Sequence, residues 1–245
     1  MVEVAVTLVE HPEWVRGPAR VEGQEIVLDE RRAERYWLYE SEQAEQMAFD
    51  LAAMAWHRSG RDPDQVRAFV RRYGLLWHGP DKVGSGECRE SLEDWWSAAE
   101  GLSAVLAMSA ALGEAMREGS GEPIRRFFLE SAGLRVSFGV SSDEAHIRAA
   151  TTIAAKLLND GQRDGHWGLV TAGPGEVQLA YYPTNLVAAS YANIGALVAT
   201  KAEFRECPGC GRIFQPKSGK QKYHDPQCAT KARQRKWKRE RSRDQ

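Results

Sequence analysis

Three cysteines and one histidine near the carboxyl end of the chain have the spacing of a metal site. Two residues separate Cys207 from Cys210, thirteen lie between Cys210 and His224, and three lie between His224 and Cys228. Two close pairs of Cys and His ligands joined by a short loop are typical of structural zinc sites. Four such ligands complete the tetrahedral coordination of zinc, so the pattern predicts one structural zinc ion and no catalytic water. Three free thiols are the alternative interpretation.

The residues around the first pair favour the metal site. Pro208 and Gly209 lie between the two cysteines, and Gly211 follows directly. Glycine and proline are the residues that allow a sharp turn and a backbone with positive φ. The segment is therefore predicted to turn tightly, so that both sulfurs converge on one ion.

The second pair is predicted to open a helix. Asp225 is a favourable N-cap and Pro226 a favourable first helical residue, which places Cys228 in the first turn. Phe214 and Tyr223 lie in the loop between the pairs and would form the apolar core of the module. A module with so small a core depends on its metal for stability.

The segment after the last cysteine is strongly basic. If it is helical, its charges cover nearly every face, so the helix must project into solvent or lie against a polyanion. A solvated tail is one interpretation, but its attachment to a metal site favours nucleic acid. The predicted nucleic-acid contacts are three residues of the loop and six of the helix: Lys217, Lys220, Lys222, Lys231, Arg233, Arg235, Lys236, Lys238 and Arg239.

This carboxyl-terminal pattern resembles that of a known family. The order C-x-x-C-G-x-x-F, a basic loop, Y-[CH]-x-x-x-C and A-[KR]-x-R is similar to the zinc module of the bacterial CGNR zinc-finger proteins, whose larger N-terminal helical region is called the ABATE domain. The residues that carry the resemblance are Cys207, Cys210, Gly211, Phe214, Tyr223, His224, Cys228, Lys231, Ala232, Arg233 and Arg235.

Two positions depart from the family pattern. His224 stands where the family usually has cysteine, and Ala229, Thr230 and Lys231 stand where it has Gly-Asn-Arg. Histidine is an ordinary zinc ligand, so the metal site is unaffected. The resemblance implies a treble-clef-like finger. Because family members are described as bacterial transcriptional regulators or stress-response proteins, it also implies DNA binding.

Composition separates an acidic body from a basic end. The chain has 245 residues, 42% of them hydrophobic, which suffices for a real core. From Lys201 onward there are fourteen Lys or Arg against five Asp or Glu, a net charge of +9, whereas the first two hundred residues carry a net −10. An acidic body repels a polyanion, so nucleic acid is expected to meet only the carboxyl-terminal end.

Other patterns indicate the cellular compartment and argue against a membrane protein and against an enzyme. Three of the four cysteines belong to the predicted metal site and no signal-peptide pattern opens the chain, which predicts a reducing cytoplasm. The longest uncharged stretch, residues 177–200, contains Pro183 and several polar residues, so it predicts a buried strand and helix rather than a membrane span. The usual catalytic motifs, such as H-E-x-x-H and G-x-S-x-G, are missing, so no enzymatic activity is predicted.

Hydrophobic periodicity predicts a body that is mainly α with a few short β-strands, an α+β fold. An acidic body (residues 1–204) would precede a zinc finger (residues 205–245). Strands are expected at residues 2–8, with a partner at 21–28, at 134–140, and in a hairpin of 168–171 with 177–182. Residues 75–89 are expected to form a loop. Helices are expected at residues 31–60, 63–73, 91–118, 122–130 and 141–159, and after Pro183.

Together these patterns predict a cytoplasmic bacterial protein whose zinc finger presents a basic helix to double-stranded DNA, with regulation of transcription as its use. The ABATE-like body would form a homodimer or bind an effector, and the sequence favours neither. Two alternatives use the same finger: a protein-interaction module of the antitoxin or adaptor kind, and an RNA-binding protein.

Overall fold

The computed structural model describes residues 7–8, 13–37, 43–56, 61–77, 86–130, 142–173 and 176–241. Within these ranges, seven α-helices hold most of the described residues and ten short strands form four small sheets. The predicted fold class is thereby confirmed. The chain divides into two compact units, Met1–Leu102 with Ala155–Thr200 and Ser103–Ala154 with Lys201–Gln245. The predicted domain boundary between residues 204 and 205 stays a prediction.

The first unit contains three of the sheets. Its strands are β1 (Thr7–Leu8), β2 (Glu13–Arg16), β3 (Ala19–Glu22), β4 (Glu25–Asp29), β5 (Glu34–Trp37), β6 (Glu87–Ser91), β7 (Gly165–Gly173) and β8 (Glu176–Pro183). β2 pairs antiparallel with β5, and β4 pairs antiparallel with both β3 and β6. β8 pairs antiparallel with β7 and parallel with β1.

Helices pack against these sheets. The first unit contains α1 (Gln43–Ala53), α2 (Pro63–Tyr73), the start of α3 (Leu92–Glu118), the end of α5 (Asp143–Gly161) and α6 (Leu186–Ala199). α2 packs on β2 and β3, while α6 packs on β8 and α1. The core between them includes the fully buried side chains of Trp14, Ile26, Met47, Leu76 and Trp95.

The second unit carries the predicted metal ligands. It contains the rest of α3, α4 (Glu122–Glu130), the start of α5, the strands β9 (Arg205–Glu206) and β10 (Ile213–Phe214), and α7 (Pro226–Arg241). α3, α4 and α5 share an apolar cluster: Met108, Leu112, Ala115, Ile124, Phe128, Ala150 and Ala154. β9 and β10 pair antiparallel on either side of the first ligand pair.

The predicted helices whose ends carry clear capping residues are confirmed. The Asp62 carboxylate accepts a hydrogen bond from the backbone N–H of Asp64 at 3.0 Å, and α2 ends before Gly74, whose φ is 92°. α3 and α4 match their predicted ranges closely, and α6 begins after its N-cap, Asn185. β8 followed by α6 confirms the buried strand and helix predicted for residues 177–200. Among the described residues, no helix is long and apolar enough to cross a membrane.

The prediction of a helix over residues 31–60 is wrong at its start. Residues 34–37 form β5, which pairs with β2, and helix α1 begins only at Gln43. The cause is a set of distant contacts: the Tyr36 hydroxyl donates to the Tyr73 carbonyl at 2.6 Å, and Arg16 pairs with Glu34 at 2.7 Å. Hydrophobic spacing along one segment does not record such pairing.

One strand prediction and one loop prediction also change. The described part of the first strand pairs with β8 rather than with residues 21–28, because Gly23, at φ 60°, turns that segment back on itself as the β3–β4 hairpin. The predicted loop 75–89 gives way at its end to β6, which extends the β3–β4 sheet. The predicted strand at 134–140 and most of the strand at 2–8 lie outside the described residues.

Candidate metal centre and basic surface

The four predicted ligands lie together in the second unit. Their ligand atoms are all within 4.8 Å of one another, a spacing that could hold one metal ion. The Sγ atoms of Cys207 and Cys228 are 3.4 Å apart, and Cys210 Sγ lies 3.5 Å from Nδ1 of His224. Cys207 and Cys228 are buried, whereas Cys210 and His224 are half-buried. The prediction that two distant residue pairs converge on one point is confirmed.

A tight turn positions the first ligand pair. The Cys207 carbonyl accepts hydrogen bonds from the backbone N–H groups of Cys210 at 3.2 Å and Gly211 at 2.8 Å, and the Cys207 N–H donates to the Arg212 carbonyl at 2.9 Å. Gly211 has φ 84°, the left-handed region predicted for it. A Cβ on Gly209 would lie 2.6 Å from Cys228 Sγ, so this glycine lets the turn approach the second pair.

The second pair is positioned by the start of α7. The Asp225 Oδ1 accepts a hydrogen bond from the Cys228 backbone N–H at 2.7 Å, which confirms the predicted N-cap. This hydrogen bond lowers the pKa of Asp225. The Asp225 Oδ2 lies 2.5 Å from Nε2 of His224, so the ring turns its other nitrogen toward Cys210. A carboxylate on the far ring nitrogen is the usual support for a metal-binding histidine.

The pKa values of Cys207 and Cys228 are shifted in opposite directions. Burial raises the pKa of Cys207, but hydrogen bonds from the His224 ring and from the backbone N–H groups of His224 and Gly209 outweigh it and bring the pKa to about 6. Burial and the neighbouring sulfurs of Cys207 and Cys210 raise the pKa of Cys228 to about 12. Two sulfurs this close together disfavour two negative charges, and a bound cation would favour the thiolate form of both.

The apolar core of the module is small. Phe214 is buried with Cys207 and Cys228, and Tyr223 packs against them, as predicted. Ile213 and Phe204 are also buried, although sequence reasoning missed them. Only their positions beside a metal-ligand pair could have indicated that they are buried, because β10 is too short to show an alternation of apolar and polar residues.

An arginine missed by sequence reasoning orders the loop between the ligand pairs. Arg205 Nη1 donates to the carbonyls of Gly219 and Gln221, both at 2.9 Å. Its other nitrogens form two hydrogen bonds with the Glu203 carboxylate, at 2.9 and 3.1 Å. The Gln221 side chain accepts from the Lys217 backbone N–H at 2.8 Å. The loop that carries the predicted lysine contacts therefore has defined supports.

Six of the nine predicted nucleic-acid contacts have described side chains, and all six are exposed: Lys217, Lys220, Lys222, Lys231, Arg233 and Arg235. Within the described part of the chain, none of these six forms an ion pair with a carboxylate. Lys236, Lys238 and Arg239 lie in the last part of α7, where only the backbone is described.

Arg235 differs from the other five because its Nη1 donates to the Gly209 carbonyl at 2.8 Å. It is thus tied to the turn between the first two ligands. For the side chains of the other five, no hydrogen-bond acceptor is found among the described residues.

No family model, no curated protein and no solved structure matches the chain. Membership of the CGNR family therefore stays a prediction from the sequence. The candidate site has three sulfurs and one imidazole nitrogen as donors. A carboxylate lies behind the imidazole, and the last ligand lies in the first turn of the basic helix.

Proposed function

We propose that this chain is a zinc-finger protein that binds double-stranded DNA and regulates transcription. The observation that carries the proposal is the position of Cys228. It is both a member of the candidate metal cluster and a residue of the first turn of α7, so a bound ion would fix the start of the basic helix. Three further observations support the proposed function: the chemistry of the donors, the exposure of the cations and the distribution of charge.

The donor set favours zinc. Thiolate and imidazole ligands select soft or borderline metals over magnesium and calcium, which take oxygen ligands. Cys207, Cys210, His224 and Cys228 supply all four positions of a tetrahedral site, which is how structural zinc is held. When bound, zinc would supply the positive charge that stabilises the second and third thiolates. The role is structural, and we propose no enzymatic activity.

The exposed cations favour a polyanion. Lys231 and Arg233 extend from α7, and Lys217, Lys220 and Lys222 from the supported loop, without a carboxylate partner among the described residues. The net charge is +9 from Lys201 onward and −10 before it, so long-range attraction acts only on this end. An α-helix fits the major groove of B-DNA, and lysine and arginine contact the flanking phosphates.

The family and the compartment are part of the proposal. Similarity to the CGNR pattern supports membership of a bacterial regulator family with an ABATE-like N-terminal body that dimerises or binds an effector. Zinc thiolates persist where thiols stay reduced, which supports the cytoplasm.

The test measures metal and nucleic acid together on the full chain. We expect the zinc-loaded protein to bind a mixed-sequence DNA duplex with an affinity that falls steeply as salt rises, because binding releases counterions. Cys210→Ser should lose zinc and duplex binding together, while Cys88→Ser, outside the candidate cluster, should keep both.

Other outcomes would change the proposed function. Preference for an RNA duplex at equal salt would make the protein an RNA-binding protein. Nuclease-resistant capture of an acidic protein, without any nucleic-acid binding, would indicate an interaction module. Undiminished duplex binding by Cys210→Ser would refute the role of the metal.

A further inference from the structure

Arg235 ties the third turn of α7 to the metal-binding turn. Its Nη1 donates to the carbonyl oxygen of Gly209, which is buried between Cys207 and Cys210. Hydrogen bonds from a charged guanidinium are stronger than those between neutral groups. The contact therefore joins two parts of the module that are 26 residues apart.

A second contact joins the same two parts at the start of the helix. Gly209 lies so close to Cys228 that an added Cβ would be 2.6 Å from its Sγ and 3.1 Å from its carbonyl oxygen. Cys228 and Arg235 are seven residues apart, so they share one face of α7, with the half-buried Ala232 between them. Contact at one point fixes only where a helix starts, whereas contact at two points also fixes its direction.

We infer that Arg235 is a positioning residue of the metal centre rather than a phosphate contact. It holds α7 against the turn that carries Cys207 and Cys210, and so keeps the third and fourth ligands in register with the first two. The inference deepens the proposed function and rests on its metal-dependent helix. It differs from the prediction made from the sequence, in which every arginine of the segment looked equivalent and Arg235 was a nucleic-acid contact.

The neighbouring Arg233 has the complementary role. It lies two residues earlier, about 200° around the helix axis from Arg235. Its side chain is exposed, as that of Arg235 is, but among the described residues it has no hydrogen-bond acceptor comparable to the Gly209 carbonyl. Arg233 is therefore the phosphate contact, and it provides a control of the same residue type in the same helix.

The experiment compares Arg235→Met and Arg235→Lys with Arg233→Met and Arg233→Lys in the zinc-loaded full chain. The first readout is the rate of zinc transfer to a chromogenic chelator. We expect both Arg235 variants to release zinc about tenfold faster, since disrupting supports of metal ligands has effects of this size. Lysine keeps the charge, but its ammonium is more strongly hydrated and lies on a more flexible stem than the guanidinium, so charge alone should not restore retention. Both Arg233 variants should release zinc at the wild-type rate.

The second readout is the salt dependence of binding to duplex DNA. Arg233→Met should lower the slope of log K against log salt by about 0.9, and Arg233→Lys should not. Zinc release at the wild-type rate from Arg235→Met would overturn the inference. So would wild-type zinc release and duplex affinity in Arg235→Lys, because Arg235 would then act only through its charge.

Unfolding of a variant and failure of the proposed function can each be distinguished from failure of the inference about Arg235. Circular dichroism of each variant checks that the helices are retained, and Arg235→Lys provides the milder change if Arg235→Met unfolds the module. A wild-type chain that holds zinc but does not bind duplex DNA would refute the proposed function. The zinc-release comparison would still decide the role of Arg235.

Discussion

The carboxylate of Asp225 lies 2.5 Å from Nε2 of His224, the neighbouring residue and one of the four candidate ligands. Its other oxygen accepts the backbone N–H of Cys228 at 2.7 Å. A single side chain therefore caps α7 and orients the histidine, which couples the start of the helix to the metal site.

Replacing Asp225 separates these two tasks. The Asp225→Asn variant keeps a good N-cap, because asparagine caps as well as aspartate, but it loses the carboxylate behind His224. We expect this variant to bind zinc about tenfold or more weakly while helix content is retained. Asp225→Ala should weaken zinc binding and also destabilise the helix start. Chelator competition and circular dichroism measure the two effects, and equal zinc affinity in wild type and Asp225→Asn would contradict the assignment.

A methyl group at Gly209 should disrupt the site. The added Cβ would lie 2.6 Å from Cys228 Sγ, and neither the sulfur nor the backbone behind it can move without displacing a ligand. We expect Gly209→Ala to lower zinc affinity by about tenfold or more. Gly219→Ala is the matched control, because a Cβ there meets nothing within 4 Å. Similar zinc affinity in the two variants, measured by competition titration, would argue against the packing described.

Removal of the metal should loosen the carboxyl-terminal module. Its apolar core consists of a few side chains around Phe214 and Tyr223, too small to offset the loss of chain entropy without a metal. In the presence of a chelator, trypsin should cleave between Lys217 and Lys231 at least about tenfold faster than in the zinc-loaded protein. Mass spectrometry of the fragments gives the sites.

Zinc added back should restore the protection, and magnesium should not, because the donor set lacks the oxygen ligands that magnesium requires. Digestion at the same rate with and without chelator would show that the module folds independently of metal.

Single charge removals should identify the surface that meets phosphate. Lys220→Gln and Arg233→Gln each remove one exposed cation, so each should lower the salt slope of duplex binding by about 0.9. Lys156→Gln is the control, because Lys156 lies in α5 and its ammonium is 2.9 Å from Asp160. The slopes come from fluorescence anisotropy at several salt concentrations. An equal decrease in the control would indicate an effect of net charge rather than of a surface.

Features that depend on neighbours in the sequence were predictable. Asp62 and Gly74 mark the ends of α2, and Asp225 marks the start of α7, because each acts on backbone groups only a few residues away. The two ligand pairs were recognisable for the same reason: each pair is local, and only four residues of suitable chemistry were needed to complete one site.

Features that depend on distant partners were not predictable. Residues 34–37 form a strand because β2 pairs with them and because Tyr36 meets the Tyr73 carbonyl. Arg205 looked like one more cation, yet its acceptors are the Glu203 carboxylate and two carbonyls of a loop that begins ten residues later. The path of the backbone decides where a carbonyl lies, and residue types carry little information about it.

The sequence by itself determined the donor types, their paired spacing and the excess of positive charge at the carboxyl end, since these are properties of composition and order. Only the tertiary structure decided which arginine has an acceptor within the module. Arg233 and Arg235 are both exposed and look alike in the sequence, but among the described residues only Arg235 donates to the Gly209 carbonyl. The physical reason is that a hydrogen bond needs an acceptor as well as a donor, and folding alone brings the acceptor within reach.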